Sequence, residues 1–196
     1  FTYWRPRVKL ESQPGKTPDQ PLDRRPYYAD SIFGDFDNDG WLDVVVMNRS
    51  EANLRRAILF MGKGDGRFEV KPTTYSGLDA SGISGEAADL NDDGLLDLVF
   101  AADPDNSAGG RAVDPARYES KVYWNTGEHG AQANHWLRLA FSGVRDADLI
   151  GARVELTANA KKQYRWIHSN HTYKSGGALE AHFGLGEATT ADVVVT

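Results

Sequence analysis

The fold is decided by Gly34-Asp35-Phe36-Asp37-Asn38-Asp39-Gly40-Trp41-Leu42-Asp43, a stretch that three valines follow directly. Counted from Asp35, aspartates stand at positions 1, 3, 5 and 9, and glycine stands at position 6. Alternate side chains of such a loop can turn inward, and Ca²⁺ takes about six to eight oxygen ligands from carboxylates, carbonyls and water. Gly40 suits the sharpest bend, because glycine adopts a positive φ without steric cost. The stretch predicts a Ca²⁺ loop in which the Trp41 carbonyl is a further ligand and Asp43 opens a strand.

The same arrangement recurs 54 residues later, from Asp89 to Asp97, with Asn91 at the third position. Each loop ends in an apolar run of residues that favour β-strands. Self-similarity at a fixed period indicates an internal structural repeat. We therefore interpret the two loops as equivalent parts of two repeated units.

An EF-hand is excluded by the residues at position 12. That motif needs an acidic side chain there and helices on both sides. The two loops have Val46 and Phe100 at that position, and their flanks favour strands. A pair of acidic turns is the alternative, since Asp-Gly and Asn-Asp form turns readily. Turns alone do not require four oxygen-bearing side chains in alternation.

Composition excludes several classes of protein. The chain has 196 residues, 40% of them hydrophobic, no cysteine and a net charge of −6. The absence of cysteine excludes a disulfide framework and thiolate chemistry. Eight of the 28 acidic residues lie in the two loops. The rest of the chain therefore has 20 acidic residues and 22 Lys and Arg residues, so its charge is nearly balanced. The Lys and Arg residues are scattered along the sequence and do not cluster into a basic patch, so we expect no nucleic-acid partner. No segment approaches the roughly 20 apolar residues of a membrane span.

The rest of the chain favours short strands. Residues 1–27 are rich in proline, which disfavours helix and predicts an extended segment. The continuous apolar run at 42–47 predicts a strand that is buried on both faces. A polar loop is predicted over 103–119. Strands are predicted over 27–33, 42–47, 57–61, 68–70, 83–90, 95–101, 121–124, 134–139, 150–156, 163–167, 182–186 and 193–195.

The loops and the hairpins that follow them resemble the FG-GAP/VCBS repeat, the blade unit of integrin-α-type β-propellers. The matching pieces are 34–46 with 59–68, and 88–100 with 122–127, so the resemblance covers roughly residues 28–128. The family binds Ca²⁺ in these loops, which implies two sites here. The implied ligands are Asp35, Asp37, Asp39, the Trp41 carbonyl and Asp43, and then Asp89, Asn91, Asp93, the Leu95 carbonyl and Asp97.

The last third resembles the ASPIC/UnbV domain, which follows FG-GAP-type repeats in cartilage acidic protein and its bacterial relatives. The matching pieces are 134–137, 150–154 and 182–186. The family's usual Val-x-Trp-Pro ending is absent, so we expect a truncated final strand. The resemblances imply an all-β protein with an extended segment at 1–27, a partial β-propeller of two repeats at 28–130, and a small β-sandwich-like domain at 131–196.

Two blades do not close a propeller, which typically needs about four to eight. Because exposed strand edges invite pairing with another chain, we expect a protein partner, either a second copy or another subunit. The expected function is a non-enzymatic, Ca²⁺-stabilised binding or assembly protein that is extracellular, on the cell surface or periplasmic. The alternatives are an accessory glycan-binding domain of an extracellular enzyme and a structural subunit of a larger complex or filament.

No catalytic arrangement stands out. His168 and His171 have a helical metal spacing, but they lie in a strand-and-turn region without partner ligands. We expect His135 and His182 to be structural histidines. Trp41, beside the first loop, is the best candidate for stacking on a glycan, although aromatic side chains more often fill cores or interfaces.

Overall fold

The computed structural model describes residues 28–48, 57–79, 82, 84–101, 120–172 and 176–196. Within them, twelve β-strands form four antiparallel sheets. The helices there are short: α1 (Thr73–Ser76), α2 (Asp146–Leu149) and a 3-10 segment (Glu128–Ala133). The prediction of an all-β fold is confirmed. The extended segment predicted at 1–27 and the loop predicted at 103–119 lie outside the described residues.

The two repeated units have the same layout. The first unit is a four-stranded sheet in the order β1 (Tyr28–Gly34), β2 (Asp43–Asn48), β3 (Ile58–Gly62), β4 (Phe68–Lys71). The second unit is a three-stranded sheet in the order β5 (Ser84–Ala88), β6 (Asp97–Ala101), β7 (Lys121–Tyr123). Both sheets are antiparallel meanders, and in each a predicted Ca²⁺ loop joins the first strand to the second. The repeat in the sequence is therefore also a repeat in the structure.

The two units share one hydrophobic core. Gly85 on β5 lies so close to Ile32 and Met47 that a Cβ there would be 2.9 Å from Ile32 Cδ1 and would clash with Met47. Because the sheets pack this closely, neither can shift without displacing side chains of the other. The buried members of the core are Ile32, Phe36, Val45, Met47, Ala57, Leu59, Met61, Leu78, Leu96, Leu98 and Phe100.

Strand β2 is less buried than its apolar sequence predicts. Val45 and Met47 are completely buried, whereas Val44 and Val46 are only half-buried; Leu42, at the start of the predicted strand but just before β2, is exposed. The prediction of burial on both faces is therefore wrong for this strand. The physical reason is the antiparallel arrangement, which places one face on the core and leaves the other partly open.

The C-terminal region has its own core. Strand β8 (His135–Ala140) pairs with β11 (Glu180–Gly186), and a second sheet has the order β10 (Lys161–Trp166), β9 (Arg153–Ala158), β12 (Asp192–Val195). A two-residue turn at 159–160, with φ values of 47° and 61°, joins β9 to β10, as in tight hairpins. The core is formed by Leu149, Val154, Leu156, Ala158, Ile167, Ala181, Phe183 and Ala188. The bounds 28–130 and 131–196 stay predictions.

The outer strands leave apolar side chains in contact with solvent. Val193, Val194 and Val195 of β12 are exposed, as are Phe68 and Val70 of β4. Among the described strands, β12 pairs with β9 alone. In the parts of the chain that the structure describes, no helix has the length and apolar character of a membrane span.

Candidate metal centre

The two loops fold alike because the same positions take left-handed backbone conformations. Position 6 has φ of 88° in Gly40 and 85° in Gly94, as the glycines predict. Position 4 is also left-handed, with φ of 57° in Asn38 and 60° in Asp92. The sequence interpretation missed position 4, although Asn and Asp are the residues that tolerate this conformation best after glycine.

Position 1 of each loop binds the backbone across the turn. The N–H of Gly40 donates to Asp35 Oδ2 over 2.9 Å, and the N–H of Gly94 donates to Asp89 Oδ2 over 3.0 Å. The glycine at position 6 thus both permits the bend and fixes the first carboxylate. This bond fixes the orientation of each carboxylate within its loop.

Position 9 ties the loop to its own sheet. Asp43 is buried and accepts the N–H of Phe36 on Oδ2 (2.8 Å) and that of Gly62 on Oδ1 (2.7 Å). Asp97 is buried too and accepts the equivalent pair of backbone N–H groups, those of Leu90 (3.1 Å) and Asn125 (2.8 Å). Both oxygens of each side chain therefore hold backbone in place. This bracing role was not predicted for these two residues.

One acidic cluster in the described residues can hold a metal ion. Carboxylate oxygens of Asp35, Asp37 and Asp39 all lie within 4.8 Å of one another. Asp35 is only 1% exposed, and the other two side chains are half-buried. Within this loop, the Oδ1 atoms of Asp35 and Asn38 are buried without a hydrogen-bond partner. Because buried polar atoms are normally paired, these two oxygens suit the loop to an electropositive partner.

The charges of the first loop are poorly compensated by the protein itself. Burial, followed by the neighbouring carboxylates of Asp43, Asp39 and Asp37, raises the pKa of Asp35 to about 8. Burial also raises the pKa of Asp43 to about 7, against the effect of its two N–H donors. The pKa of Asp37 is raised by burial and then by Asp39. A bound divalent cation reverses this situation, since it favours the ionised carboxylates. The residues of the first loop therefore fit a hard cation.

The carboxylates of the second loop have more partners from the protein itself. The Nδ2 group of Asn91 donates to Asp93 Oδ2 over 2.9 Å, so part of that carboxylate is already bound by the protein. Arg138 Nη1 lies 2.7 Å from Asp92 Oδ1 and 3.8 Å from Asp89 Oδ2. Within the described residues, no group of three acidic or histidine side chains gathers in this loop. A second Ca²⁺ site here, and the carbonyl ligands at Trp41 and Leu95, stay predictions.

The first loop also contacts the C-terminal region directly. The N–H of Gly184 on β11 donates to Asp35 Oδ2 over 3.1 Å. Lys161 Nζ donates to the Asp39 carbonyl over 2.7 Å and lies 4.0 Å from the centre of the Trp41 ring. The sequence interpretation missed both contacts, because residues more than 100 positions apart share no local pattern. Gly64 also packs against the Trp41 ring, and these contacts count against Trp41 as a glycan platform.

Two histidines, His171 and His182, lie at the contact between the repeats and the C-terminal region. His182 Nε2 lies 3.1 Å from the Gly94 carbonyl, and its ring stacks on Trp136 with centroids 6.2 Å apart. Burial lowers the pKa of His182. His171 Nδ1 lies 2.9 Å from Glu86 Oε1 on β5, and this hydrogen bond raises the pKa of His171. His171 therefore joins the C-terminal region to the second repeat.

Replacing His171 with glutamine should have an effect that depends on pH. Because the pKa of His171 is raised above 6.5, its stabilising contribution is complete below pH 6.5 and is lost as the pH rises through the raised value. We expect His171→Gln to lower the free energy of unfolding by about 0.2–1 kcal/mol at pH 6, because the pair is partly exposed. At pH 9 the variant and the wild type should be equally stable. Urea unfolding at both pH values measures this, with His168→Gln as the control; an equal loss at both would contradict the ion pair.

Comparison with known families agrees with the repeat and the two cores. The family described as an FG-GAP-like repeat matches residues 35–100, and the family described as ASPIC and UnbV matches residues 143–196. The first match contains both loops, and the second contains strands β9 to β12. Among curated proteins, no sequence matches this chain. The chain therefore carries an FG-GAP-like repeat region, whose repeats imply propeller blades, followed by an ASPIC/UnbV domain.

Proposed function

We propose that this protein is a non-enzymatic binding or assembly module whose β-blades are stabilised by Ca²⁺. The observation that carries the proposal is the buried carboxylate cluster of the first loop, which includes a carboxylate oxygen without a hydrogen-bond partner. Asp35, Asp37 and Asp39 would hold the ion together with Asp43 and the carbonyl of Trp41. The ion would have a structural and not a catalytic role. Its positive charge would relieve the mutual repulsion of these carboxylates and fix the loop between β1 and β2.

The donor set favours Ca²⁺ over other metals. Its candidate ligands are all oxygen atoms, which suits hard cations and not the softer metals that prefer Cys or His. Mg²⁺ demands near-ideal octahedral geometry and gives up its water reluctantly, whereas Ca²⁺ accepts irregular protein cages. A loop built from three closely spaced carboxylates therefore suits Ca²⁺ better. We propose the second loop as a weaker Ca²⁺ site, because Asn91 replaces a carboxylate at one ligand position and Arg138 pairs with Asp92.

We further propose that the protein works outside the cytoplasm and binds a protein partner through its strand edges. Extracellular Ca²⁺ modules bind the ion at about 10⁻⁴–10⁻³ M, a range that suits an ion with a structural role. The three exposed valines of β12 support an edge contact, because they present apolar side chains on a strand that pairs with β9 alone among the described strands. A second copy of the chain is the simplest partner to test.

Isothermal titration calorimetry with CaCl₂ and MgCl₂ tests the metal assignment. We expect one stronger and one weaker Ca²⁺ site, and much weaker binding of Mg²⁺. A substitution in the first loop, Asp37→Ala, should remove the stronger site, while Asn91→Ala should affect only the weaker one. The absence of Ca²⁺ binding by the wild type up to about 10 mM, ten times the weakest value usual for such modules, would overturn the proposal.

A further inference from the structure

The backbone of the first loop is held by the C-terminal region at three consecutive carbonyls. The carbonyl of Asp37 accepts Asn134 Nδ2 (2.8 Å), that of Asn38 accepts the Gly186 N–H (2.8 Å), and that of Asp39 accepts Lys161 Nζ (2.7 Å). The three donors come from three different places in residues 134–186. Such a row of acceptors exists only while the loop keeps its curled shape.

Strand β11 lies directly on the acidic cluster. The N–H of Gly184 donates to Asp35 Oδ2, and a Cβ on Gly184 would clash with that oxygen and with the backbone of Asn38. The φ of Gly184 lies outside the left-handed region, so close approach and not backbone conformation explains the glycine. Gln163 Nε2 donates to the Gly184 carbonyl over 2.6 Å and holds the strand in this place.

Asn38 extends the contact to the second loop. Its Nδ2 group donates to the Gly94 carbonyl over 3.0 Å, and His182 Nε2 lies 3.1 Å from the same oxygen. A single carbonyl of the second loop therefore has one partner from the first loop and one from β11. The two loops and the ASPIC/UnbV domain meet at this point.

From these contacts we infer that cation binding in the first loop and docking of the ASPIC/UnbV domain onto the repeats form one linked equilibrium. The inference rests on the proposed Ca²⁺ site. Without a cation, crowding the carboxyl groups of Asp35, Asp37 and Asp39 together in a largely buried loop is unfavourable, and this opposes the curled shape and weakens the row of acceptors. With the domain docked, water is excluded from Asp35, and the attraction between carboxylate and cation is stronger where water is excluded. Linkage is reciprocal, so each event must strengthen the other by the same factor.

Amide hydrogen exchange measured by NMR on the full chain tests the first direction. The Gly184 and Gly186 N–H groups report docking, because both donate to the first loop. The N–H groups of Gly151 and Ile167 are controls, since they donate to Ile167 and Ala152 inside the domain. We expect Ca²⁺ to slow exchange at the two reporters about 5–150-fold relative to EGTA, the usual range of coupling between sites, and to leave the controls unchanged.

The variant Gly184→Ala tests the opposite direction. Its methyl group pushes β11 away from Asp35, so the Kd for Ca²⁺ at the stronger site should rise at least about 5-fold. Ala140→Val, at an exposed position of the neighbouring strand β8, is the control and should keep the wild-type Kd. Protection of the Gly151 and Ile167 amides in Gly184→Ala shows that the domain itself stays folded.

The outcomes separate the linkage from the metal site. If calorimetry shows no Ca²⁺ binding by the wild type, both the proposed function and the linkage fail. If Ca²⁺ binds, but the reporter amides exchange equally in Ca²⁺ and EGTA, the linkage alone is overturned. An unchanged Kd in a folded Gly184→Ala variant overturns it as well.

Discussion

Replacing Asp35 with asparagine is expected to remove most of the Ca²⁺-dependent stability of the protein without lowering the stability of the metal-free form. In Ca²⁺, the wild type gains about 2.7–4.1 kcal/mol when the ion is present at about 100–1,000 times its Kd. For a chain of this size, that gain corresponds to a rise in Tm of about 5–15 °C. Asp35→Asn should lose most of this rise, because a buried ligand charge is removed.

The metal-free form should respond in the opposite direction. Because the pKa of Asp35 is raised from 3.8 to about 8, the folded metal-free protein holds a proton that the unfolded chain releases. The stability of this form therefore falls as the pH rises from 3.8 to about 8. Asparagine carries no such proton and no charge, so Asp35→Asn in EGTA at pH 7.5 should have a Tm equal to or above that of the wild type.

Differential scanning calorimetry of both proteins in Ca²⁺ and in EGTA gives the four Tm values. Asp65→Asn makes the same chemical change at an exposed position, where the carboxylate pairs with the side chain and the N–H of Arg67, and it should keep the full Ca²⁺ effect. A full Ca²⁺-dependent rise in Asp35→Asn would show that Asp35 is not a ligand.

Replacing Asp97 with alanine is expected to destabilise the protein whether or not Ca²⁺ is present. The carboxylate of Asp97 is completely buried and accepts the N–H groups of Leu90 and Asn125. Without it, two backbone donors at the base of the loop lose their partners. An unsatisfied buried donor costs about 1–3 kcal/mol, so for the two donors together we expect a loss of about 2–6 kcal/mol.

Urea unfolding in EGTA and in Ca²⁺ measures this loss. Asp97→Asn keeps one acceptor oxygen and should lose about half as much, in line with one unsatisfied donor of about 1–3 kcal/mol. Asp192→Ala, which also removes an aspartate from the first position of a strand but at an exposed site, should change stability by less than about 0.5 kcal/mol. Wild-type stability of Asp97→Ala in EGTA would contradict the bracing role of position 9.

The sequence predicted what depends on local spacing. Alternating aspartates with Gly40 indicated a cation loop, and the same spacing at Asp89 to Asp97 indicated its repeat. Strand positions followed from apolar runs, because a strand that packs on a core carries apolar side chains on its buried face. The extent of burial on β2 was not predictable in the same way, since it depends on which other sheets cover the strand.

The contacts that join the two parts of the chain could not be predicted from the sequence. Gly184, Gly186 and Lys161 meet the first loop only after the whole chain has folded, and no spacing links them to Asp35. Gly184 offered a weak signal, because a glycine inside a strand often marks the close approach of another backbone. The bracing role of Asp43 was hidden for another reason: an aspartate that binds metal and one that binds backbone occupy the same position of the motif.

A crystal structure of the full chain grown in CaCl₂, with the anomalous signal of calcium measured, tests the central claim most directly. We expect an anomalous peak in the first loop, with oxygens of Asp35, Asp37 and Asp39 at about 2.3–2.6 Å from it. The Gly184 N–H should still donate to Asp35 in that structure. A first loop that contains only water, with its three carboxylates turned away from one another, would contradict the claim that Ca²⁺ holds this fold together.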